Sequence, residues 1–185
     1  MSSSRILGLS CLILAGELIF SLPFHITRYF RPSFLEVFGL SNAALGDIFA
    51  GYGVIAMLAY FPGGLIADRF SARKLIAVSL IATAAGGLFL TTIPSEFGVR
   101  LLFAYWGLTT ILLFWAALLR ATRAWGGRKT KGLAFGLLDG GRGLVAAVSA
   151  SVAVLIFSAT VGSSGTAMSA ADGTIGIKHV IIFYP

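Results

Sequence analysis

Long apolar runs separated by short polar or glycine-rich segments dominate the chain. Five of these runs reach the roughly 20 residues that an α-helix needs to cross a bilayer. A last apolar run, 174–185, is too short for a crossing. The pattern predicts an all-α, polytopic membrane protein with five full spans and the start of a sixth. The predicted spans are about 6–24, 43–67, 75–93, 97–119 and 132–161, with 174–185 as the incomplete one.

The segments between the runs predict the connections. Residues 68–74 form a short charged turn, and Ser41 or Asn42 is placed to cap the second span. Residues 25–42 and the Ser/Gly/Ala-rich residues 162–173 are predicted to be loops. Because the final run stops short of a crossing, we expect the chain to be a fragment that ends inside span 6.

The first apolar run has a second interpretation as a cleaved signal peptide. Arg5 precedes an apolar core at 6–16, in the order found in secretory signals. The run continues past any small-residue cleavage site, and this continuation favours a membrane span.

Composition narrows the class of protein further. Apolar residues make up 57% of the chain and charged residues 11%, and the mean hydropathy is +0.93. Soluble domains carry about 25% charged residues, so the polar surface of a soluble globule is missing here. Disordered chains are rich in charge and poor in apolar residues, and that class is excluded as well.

The net charge of +7 has a topological explanation. In a soluble protein such an excess indicates nucleic-acid binding, but here the basic residues lie in short segments between apolar runs, which excludes that partner. A cytoplasmic N-terminus puts nine basic residues on the cytoplasmic side and four on the other, as the positive-inside rule requires. The nine are Arg5, Arg69, Arg73, Lys74, Arg120, Arg123, Arg128, Lys129 and Lys131. We therefore expect a multi-pass protein of the cell (inner) membrane with its N-terminus in the cytoplasm.

Residues for metal, redox or hydrolytic chemistry are sparse. Cys11 is the single cysteine, and His25 and His179 are the two histidines. None of them belongs to a metal-ligand spacing or to a nucleophile–base motif. The sequence predicts no enzyme, no cofactor and no metal.

The most specific local pattern is the turn between spans 2 and 3. On its residues alone it also fits a plain helix hairpin whose basic turn faces the cytoplasm. It resembles the signature Gly-x-Leu-Ala-Asp-Arg-x-x-Gly-Arg-Arg/Lys of the major facilitator superfamily, with Ile66 and Ala72 as departures. The matching residues are Gly64, Ala67, Asp68, Arg69, Arg73 and Lys74. The resemblance implies a conformational latch made by Gly64, Asp68, Arg69, Arg73 and Lys74, in which the Asp pairs with basic residues and helix ends across two halves of a transporter.

The fifth span carries two unusual features. Gly132, Gly136 and Gly140 recur every four residues and predict a smooth face for helix packing. Asp139 and Arg142 are helix neighbours, and Arg142 lies about 15 Å from the start of the span at ~1.5 Å rise per residue. An ionisable residue at that depth is a candidate functional site. The alternative is a structural pair that only locks helices together.

Glu17 lies at a similar depth in span 1, about 16 Å from Ile6 by the same rise. We hypothesise that Glu17 and Arg142 face a central cavity or each other, and that Glu17 binds and releases a proton. The alternative is a polar residue satisfied between helices. Tyr105 and Trp106, deeper in span 4, are candidates for lining the same cavity, with ordinary helix packing as their alternative.

The resemblance implies the N-terminal six-helix half of a twelve-span fold, with alternating access around a midplane site. We therefore expect a secondary active transporter whose partners are the bilayer, a small solute and the missing C-terminal half. The basic and aromatic residues favour an anionic solute, and Glu17 favours ion or proton coupling. The alternative function is a small polytopic protein that acts as an assembly or signalling subunit.

Overall fold

The computed structural model describes residues 3–161 and 170–184. This part of the chain is helical and contains no strand. Helix α1 covers 3–29 and joins Ser3–Phe20, a π-helical segment Ser21–His25 and a last turn Ile26–Tyr29. Helix α5 likewise joins Glu96–Gly107, a π-helical segment Leu108–Trp115 and Ala116–Gly126. The others are α2 (Arg31–Val37), α3 (Asn42–Arg69), α4 (Ala72–Leu90), α6 (Lys131–Val161) and α7 (Ala170–Phe183).

Five of these helices, namely α1, α3, α4, α5 and α6, are long and apolar enough to cross a membrane. The prediction of an all-α, polytopic membrane protein with five full spans is confirmed. Ser41 is the N-cap of α3, because its hydroxyl accepts a hydrogen bond from the Ala44 amide at 3.0 Å.

The structure corrects two of the predicted connections. Most of residues 25–42 are helical, because α1 continues to Tyr29 and α2 follows directly, so that only 38–41 form a non-helical connection to α3. Pro32 is compatible with α2 because it lies in the first turn, where helix amide groups have no intrahelical acceptor. Of the second predicted loop, residues 162–169 lie outside the described residues, whereas 170–173 already belong to α7.

The membrane helices pack most closely where a glycine faces a neighbour. A Cβ atom built on Gly63 of α3 would lie 2.9 Å from the Leu112 carbonyl oxygen of α5. A Cβ atom built on Gly107 of α5 would lie 3.0 Å from the Tyr52 carbonyl oxygen of α3. These two positions hold α3 and α5 in backbone contact, as small residues do in membrane bundles.

The two ends of the bundle are fixed by arginines. At the end that holds the N-terminus, Arg5 Nη2 donates to the Trp125 carbonyl at 2.9 Å, and Trp125 Nε1 donates to the Arg5 carbonyl at 2.6 Å. At the opposite end, Arg100 bridges Glu96 at 2.7 Å and Asp47 at 3.5 Å. The start of α1 is thereby tied to the end of α5, and the start of α5 to the start of α3.

Candidate functional site

Glu17 of α1 is the centre of a buried polar cluster. Its carboxylate has only 11% of its side-chain surface exposed, and it contacts two groups. Oε1 lies 3.1 Å from Nε2 of His25, and Oε2 lies 3.2 Å from Nε of Arg142 on α6. The cluster therefore links the middle of α1 to the middle of α6.

The π-helical segment is what brings His25 to Glu17. Two α-helical turns take about 7.2 residues at 3.6 residues per turn, so residues eight apart normally point in different directions. A π-turn, closed by i→i+5 bonds, adds one residue and returns the eighth residue to the starting face. Pro23 lies in this segment and has no amide hydrogen to donate. The Thr27 hydroxyl donates to the Pro23 carbonyl at 3.0 Å, which satisfies one acceptor there.

Arg142 is held by charge and by aromatic rings. Its Nη1 lies 3.6 Å from the Asp139 carboxylate, and its guanidinium carbon lies 5.7 Å from the ring centre of Phe20 and 5.9 Å from that of Trp115. Both ring distances are within the range of a cation–π interaction. The Arg142 side chain also packs on Gly16, where an added Cβ would lie 3.2 Å from its Cδ.

The charged side chains of the cluster differ in their exposure to solvent. The Arg142 side chain is 21% exposed, whereas that of Asp139 is 71% exposed. One guanidinium faces two carboxylates, so neutral His25 leaves the cluster with one excess negative charge. Without the charge of Glu17 that excess is gone, and Asp139 is then the one ionised carboxylate on Arg142 among the described residues. The partners of Arg142 in this arrangement therefore depend on the charge of Glu17.

The structure brings together three of the residues singled out from the sequence: Glu17, Asp139 and Arg142. Their roles in transport stay predictions. Sequence reasoning missed His25 as a member of the cluster, because its spacing from Glu17 does not fit an α-helix. The available signal was Pro23, an interruption within an apolar helical run.

Tyr105 and Trp106 lie elsewhere, at the contact between α5 and α4. Trp106 is fully buried, and its Nε1 donates to the Thr83 carbonyl at 3.1 Å. The Tyr105 hydroxyl donates to the Ala82 carbonyl at 2.8 Å. Within the described residues, no hydrogen bond or ring contact joins either side chain to Glu17 or Arg142. Their observed contacts are those of helix packing, and a cavity-lining role stays a prediction.

A chain of buried hydroxyl groups joins α3, α4 and α5, and sequence reasoning did not find it. Tyr52 and Thr110 share a hydrogen bond of 2.8 Å, as do Thr83 and Thr109. Ser79 donates to the Thr109 carbonyl at 2.6 Å. Thr109 and Thr110 belong to the π-helical segment of α5, which turns these consecutive residues toward different helices.

The latch residues surround the turn between α3 and α4. Asp68, Arg69, Arg73 and Lys74 are exposed, and the space beside Gly64 is open. Asp68 makes no hydrogen bond or ion pair with another described residue, although a carboxylate in the last turn of a helix is disfavoured by the helix dipole. Arg120 of α5, which the latch prediction did not include, donates to the carbonyl groups of Ala67 and Phe70. Latch function itself stays a prediction.

The glycine face predicted on α6 is open. Nothing lies within 4 Å of a Cβ atom built on Gly132, Gly136 or Gly140 in the described part of the chain. The close approach to α6 is made instead at Gly141, where an added Cβ would lie 2.6 Å from the Ile13 side chain. Packing of α1 on α6 thus uses a different face of α6 from the one that the four-residue repeat predicts.

A metal centre has no support in the residues that the structure describes. No group of three His, Cys, Asp or Glu side chains there is placed to hold an ion.

Comparisons with known proteins agree with the helical architecture. Inner membrane protein YqcE of Escherichia coli (strain K12) is 29% identical over 99% of this chain, and Inner membrane protein YihN of the same strain is 31% identical over 95%. The chain spans only 41% and 39% of the length of these two relatives. No solved structure shows significant similarity.

The family comparison covers most of the chain. The model of the Major Facilitator Superfamily matches residues 8–171, which include most of α1 and all of the other four membrane helices. The chain therefore belongs to the Major Facilitator Superfamily.

Proposed function

We propose that this chain forms one half of a secondary active transporter that moves a small, anionic solute by alternating access, coupled to protons. The observation that carries the proposal is the buried ion pair between Glu17 and Arg142, with Oε2 and Nε 3.2 Å apart. Ionisable side chains inside a membrane bundle are energetically costly and are typical of ion and substrate pathways. A purely structural subunit needs no such pair, because apolar side chains of similar volume stabilise a bundle at least as well.

Coupling follows from the shared carboxylate. While Glu17 is ionised, its carboxylate forms an ion pair with the guanidinium of Arg142. When Glu17 takes up a proton, the guanidinium retains only Asp139, at 3.6 Å and largely exposed. An anionic group of the solute then competes with a single carboxylate instead of two. Proton binding and anion binding therefore favour each other, as symport requires.

The orientation and location of the chain are part of the proposal. Arg5, Arg120 and Arg123 lie at the bundle end that holds the N-terminus, together with the basic turn after α3. The positive-inside rule assigns this end to the cytoplasm. YqcE and YihN are both named inner membrane proteins, and this supports the inner membrane as the location of this chain.

A second half is proposed to pack on the open glycine face of α6. Among the five membrane helices α6 is the least buried, with 17% of its most apolar stretch inside the bundle compared with 50% for that of α5. Gly132, Gly136 and Gly140 leave this face free of side chains, so another backbone can approach it closely. The relatives are long enough to supply such a half, because the chain covers about two fifths of them.

The transport proposal is tested with Glu17→Gln in the full-length protein. A panel of metabolites is first screened for thermal stabilisation of the purified protein, and the stabilising compound is then used in proteoliposomes. We expect Glu17→Gln to exchange the compound across the membrane but to lose accumulation driven by a pH gradient. Glu96→Gln, which removes an exposed carboxylate paired with Arg100, is the matched control and should accumulate the compound normally. Unchanged pH-driven accumulation in Glu17→Gln would contradict proton coupling.

The packing proposal is tested by a size series at Gly136. We expect Gly136→Ala to be tolerated, because a neighbouring backbone can adjust to one methyl group. Gly136→Leu should lower the unfolding free energy of the full-length protein by about 1–3 kcal/mol, the usual cost of overpacking a contact. Thermal denaturation in detergent measures both. Equal stability of the Leu and Gly proteins would mean that the face meets lipid only.

A further inference from the structure

We infer that His25 is the group through which a proton reaches Glu17. The inference rests on the proposed coupling role of Glu17 and adds the path by which the proton arrives. His25 is buried, with 7% of its surface exposed, and its Nε2 lies 3.1 Å from the Glu17 carboxylate. Its second ring nitrogen, Nδ1, is buried and has no hydrogen-bond partner among the described residues.

When Glu17 is ionised, its contacts decide which nitrogen of a neutral His25 carries the hydrogen. Arg142 only donates hydrogen bonds, and its guanidinium occupies Oε2 of Glu17. A hydrogen bond between Oε1 of that carboxylate and Nε2 of neutral His25 needs a hydrogen on Nε2. Nδ1 then presents a free lone pair. The buried atom without a partner is thus the basic one, which is where an incoming proton would bind.

A proton can reach Glu17 through the imidazole ring of His25 by two coupled bond changes. The lone pair of Nδ1 binds the incoming proton, and the Nε2–H bond breaks as its proton passes to Oε1 of Glu17. The imidazole ends neutral with its hydrogen on Nδ1, and Glu17 ends as a carboxylic acid. No oxidant, reductant or further reactant takes part. Loss of the Glu17 charge then weakens its hold on Arg142, which is the step that the proposed coupling requires.

The surroundings of His25 contain few groups that compete for this proton. On its own helix the ring contacts Tyr29 at 5.5 Å between ring centres. From beyond α7 it contacts Tyr184 at 5.6 Å, and α6 brings Arg142 and Asp139, which reach it only through Glu17. The hydroxyl groups of α4, such as Ser79, carry no charge and donate elsewhere. Within the described residues Glu17 is therefore the one carboxylate in contact with the ring.

The resting tautomer is the first test. Nitrogen NMR of the full-length protein, labelled at histidine, distinguishes a hydrogen on Nε2 from one on Nδ1. The His25 signals are identified as those absent from the His25→Gln protein. We expect the neutral ring to carry its hydrogen on Nε2. The spectrum is recorded at a pH where the infrared band of the protonated Glu17 carboxyl is absent. A neutral ring with its hydrogen on Nδ1 under that condition overturns the inference. If the His25→Gln protein does not fold, segmental isotope labelling of the wild-type protein assigns the His25 signals instead.

The rate of proton arrival is the second test. After a rapid drop in pH, time-resolved infrared spectroscopy follows the band of the protonated Glu17 carboxyl, which is assigned by its loss in Glu17→Gln. Glutamine at position 25 keeps an N–H donor for Oε1 but cannot carry a proton. We expect His25→Gln to slow the appearance of the band on the order of 100-fold, in line with loss of a positioned acid–base group. His179→Gln, which removes an exposed histidine bonded to Thr160, is the control and should not change the rate.

The outcomes separate the two proposals. A Glu17 band that appears equally fast in His25→Gln and in wild type overturns the role of His25 and leaves the proposed coupling intact. A Glu17 carboxyl that takes up no proton at any pH overturns both. A slow band in His25→Gln together with a normal band in His179→Gln supports both.

Discussion

Replacing Arg142 with Met is expected to lower the unfolding free energy of the full-length protein by about 3–5 kcal/mol, the usual cost of leaving one partner of a buried ion pair alone. The substitution keeps an unbranched apolar stem on Gly16 but removes the cation. Glu17 then remains buried, with 11% of its side chain exposed, and His25 is its one remaining side-chain partner among the described residues. Chemical unfolding in detergent micelles measures the loss.

Two further proteins identify the cause of this loss. The double variant Glu17→Gln/Arg142→Met removes both charges and should recover most of the stability, because no isolated charge stays buried. Arg100→Met breaks an ion pair whose side chains are 36% and 46% exposed, and it should cost far less than Arg142→Met, because exposed ion pairs contribute little to stability. A double variant as unstable as Arg142→Met alone would show that lost packing, and not the stranded carboxylate, causes the effect.

Gly63→Ala is expected to lower the unfolding free energy by about 1–3 kcal/mol, as is typical of overpacking. The added Cβ would lie 2.9 Å from the Leu112 carbonyl oxygen and 3.3 Å from the Leu112 Cα atom. Both atoms belong to the backbone of α5, so no side-chain rotation relieves the clash. The two helices must separate, and separation also loosens the contact at Gly107. Thermal denaturation of the full-length protein measures the effect.

Gly53→Ala is the matched control for Gly63→Ala. Both glycines lie inside α3, but nothing is within 4 Å of a Cβ atom built on Gly53. Alanine is the better helix former, so Gly53→Ala should leave the unfolding free energy unchanged or raise it by up to about 1 kcal/mol. If the two substitutions had equal effects, helix propensity would explain them and close packing would not.

The membrane spans were predictable because the hydrophobic effect dictates long apolar runs. Residues 25–42 were predicted wrongly because Pro32 and the arginines around it suggested a loop. A helical signal was present there in Phe30, Phe34 and Phe38, which recur every four residues and are all buried in the structure. The buried phenylalanines that recur once per helical turn therefore predict the helical end of α1 and helix α2. The charged residues that lie between these phenylalanines are a poorer guide to the structure.

The candidate site was predictable in part. A constant rise per residue placed Glu17 and Arg142 at similar depth, and their side chains meet in the structure. The α-helical spacing rule did not place His25 near Glu17, because a π-turn lies between the two residues. The hydrophobic pattern of the sequence does not show where such a turn occurs. The partner of Asp68 was not predictable either, because no described residue supplies one.

The extra residue in the π-helical turn of α1 has an evolutionary consequence. A π-turn is formally a one-residue insertion into an α-helix, and such turns are frequent at functional sites. Deleting a single residue between Glu17 and His25 would restore a regular helix and preserve the span. The two residues, then seven apart, would still share a face, because two α-helical turns take about 7.2 residues. Among homologous chains, the Glu–His pair is therefore expected at a spacing of eight where the π-turn is kept and at a spacing of seven where it is lost.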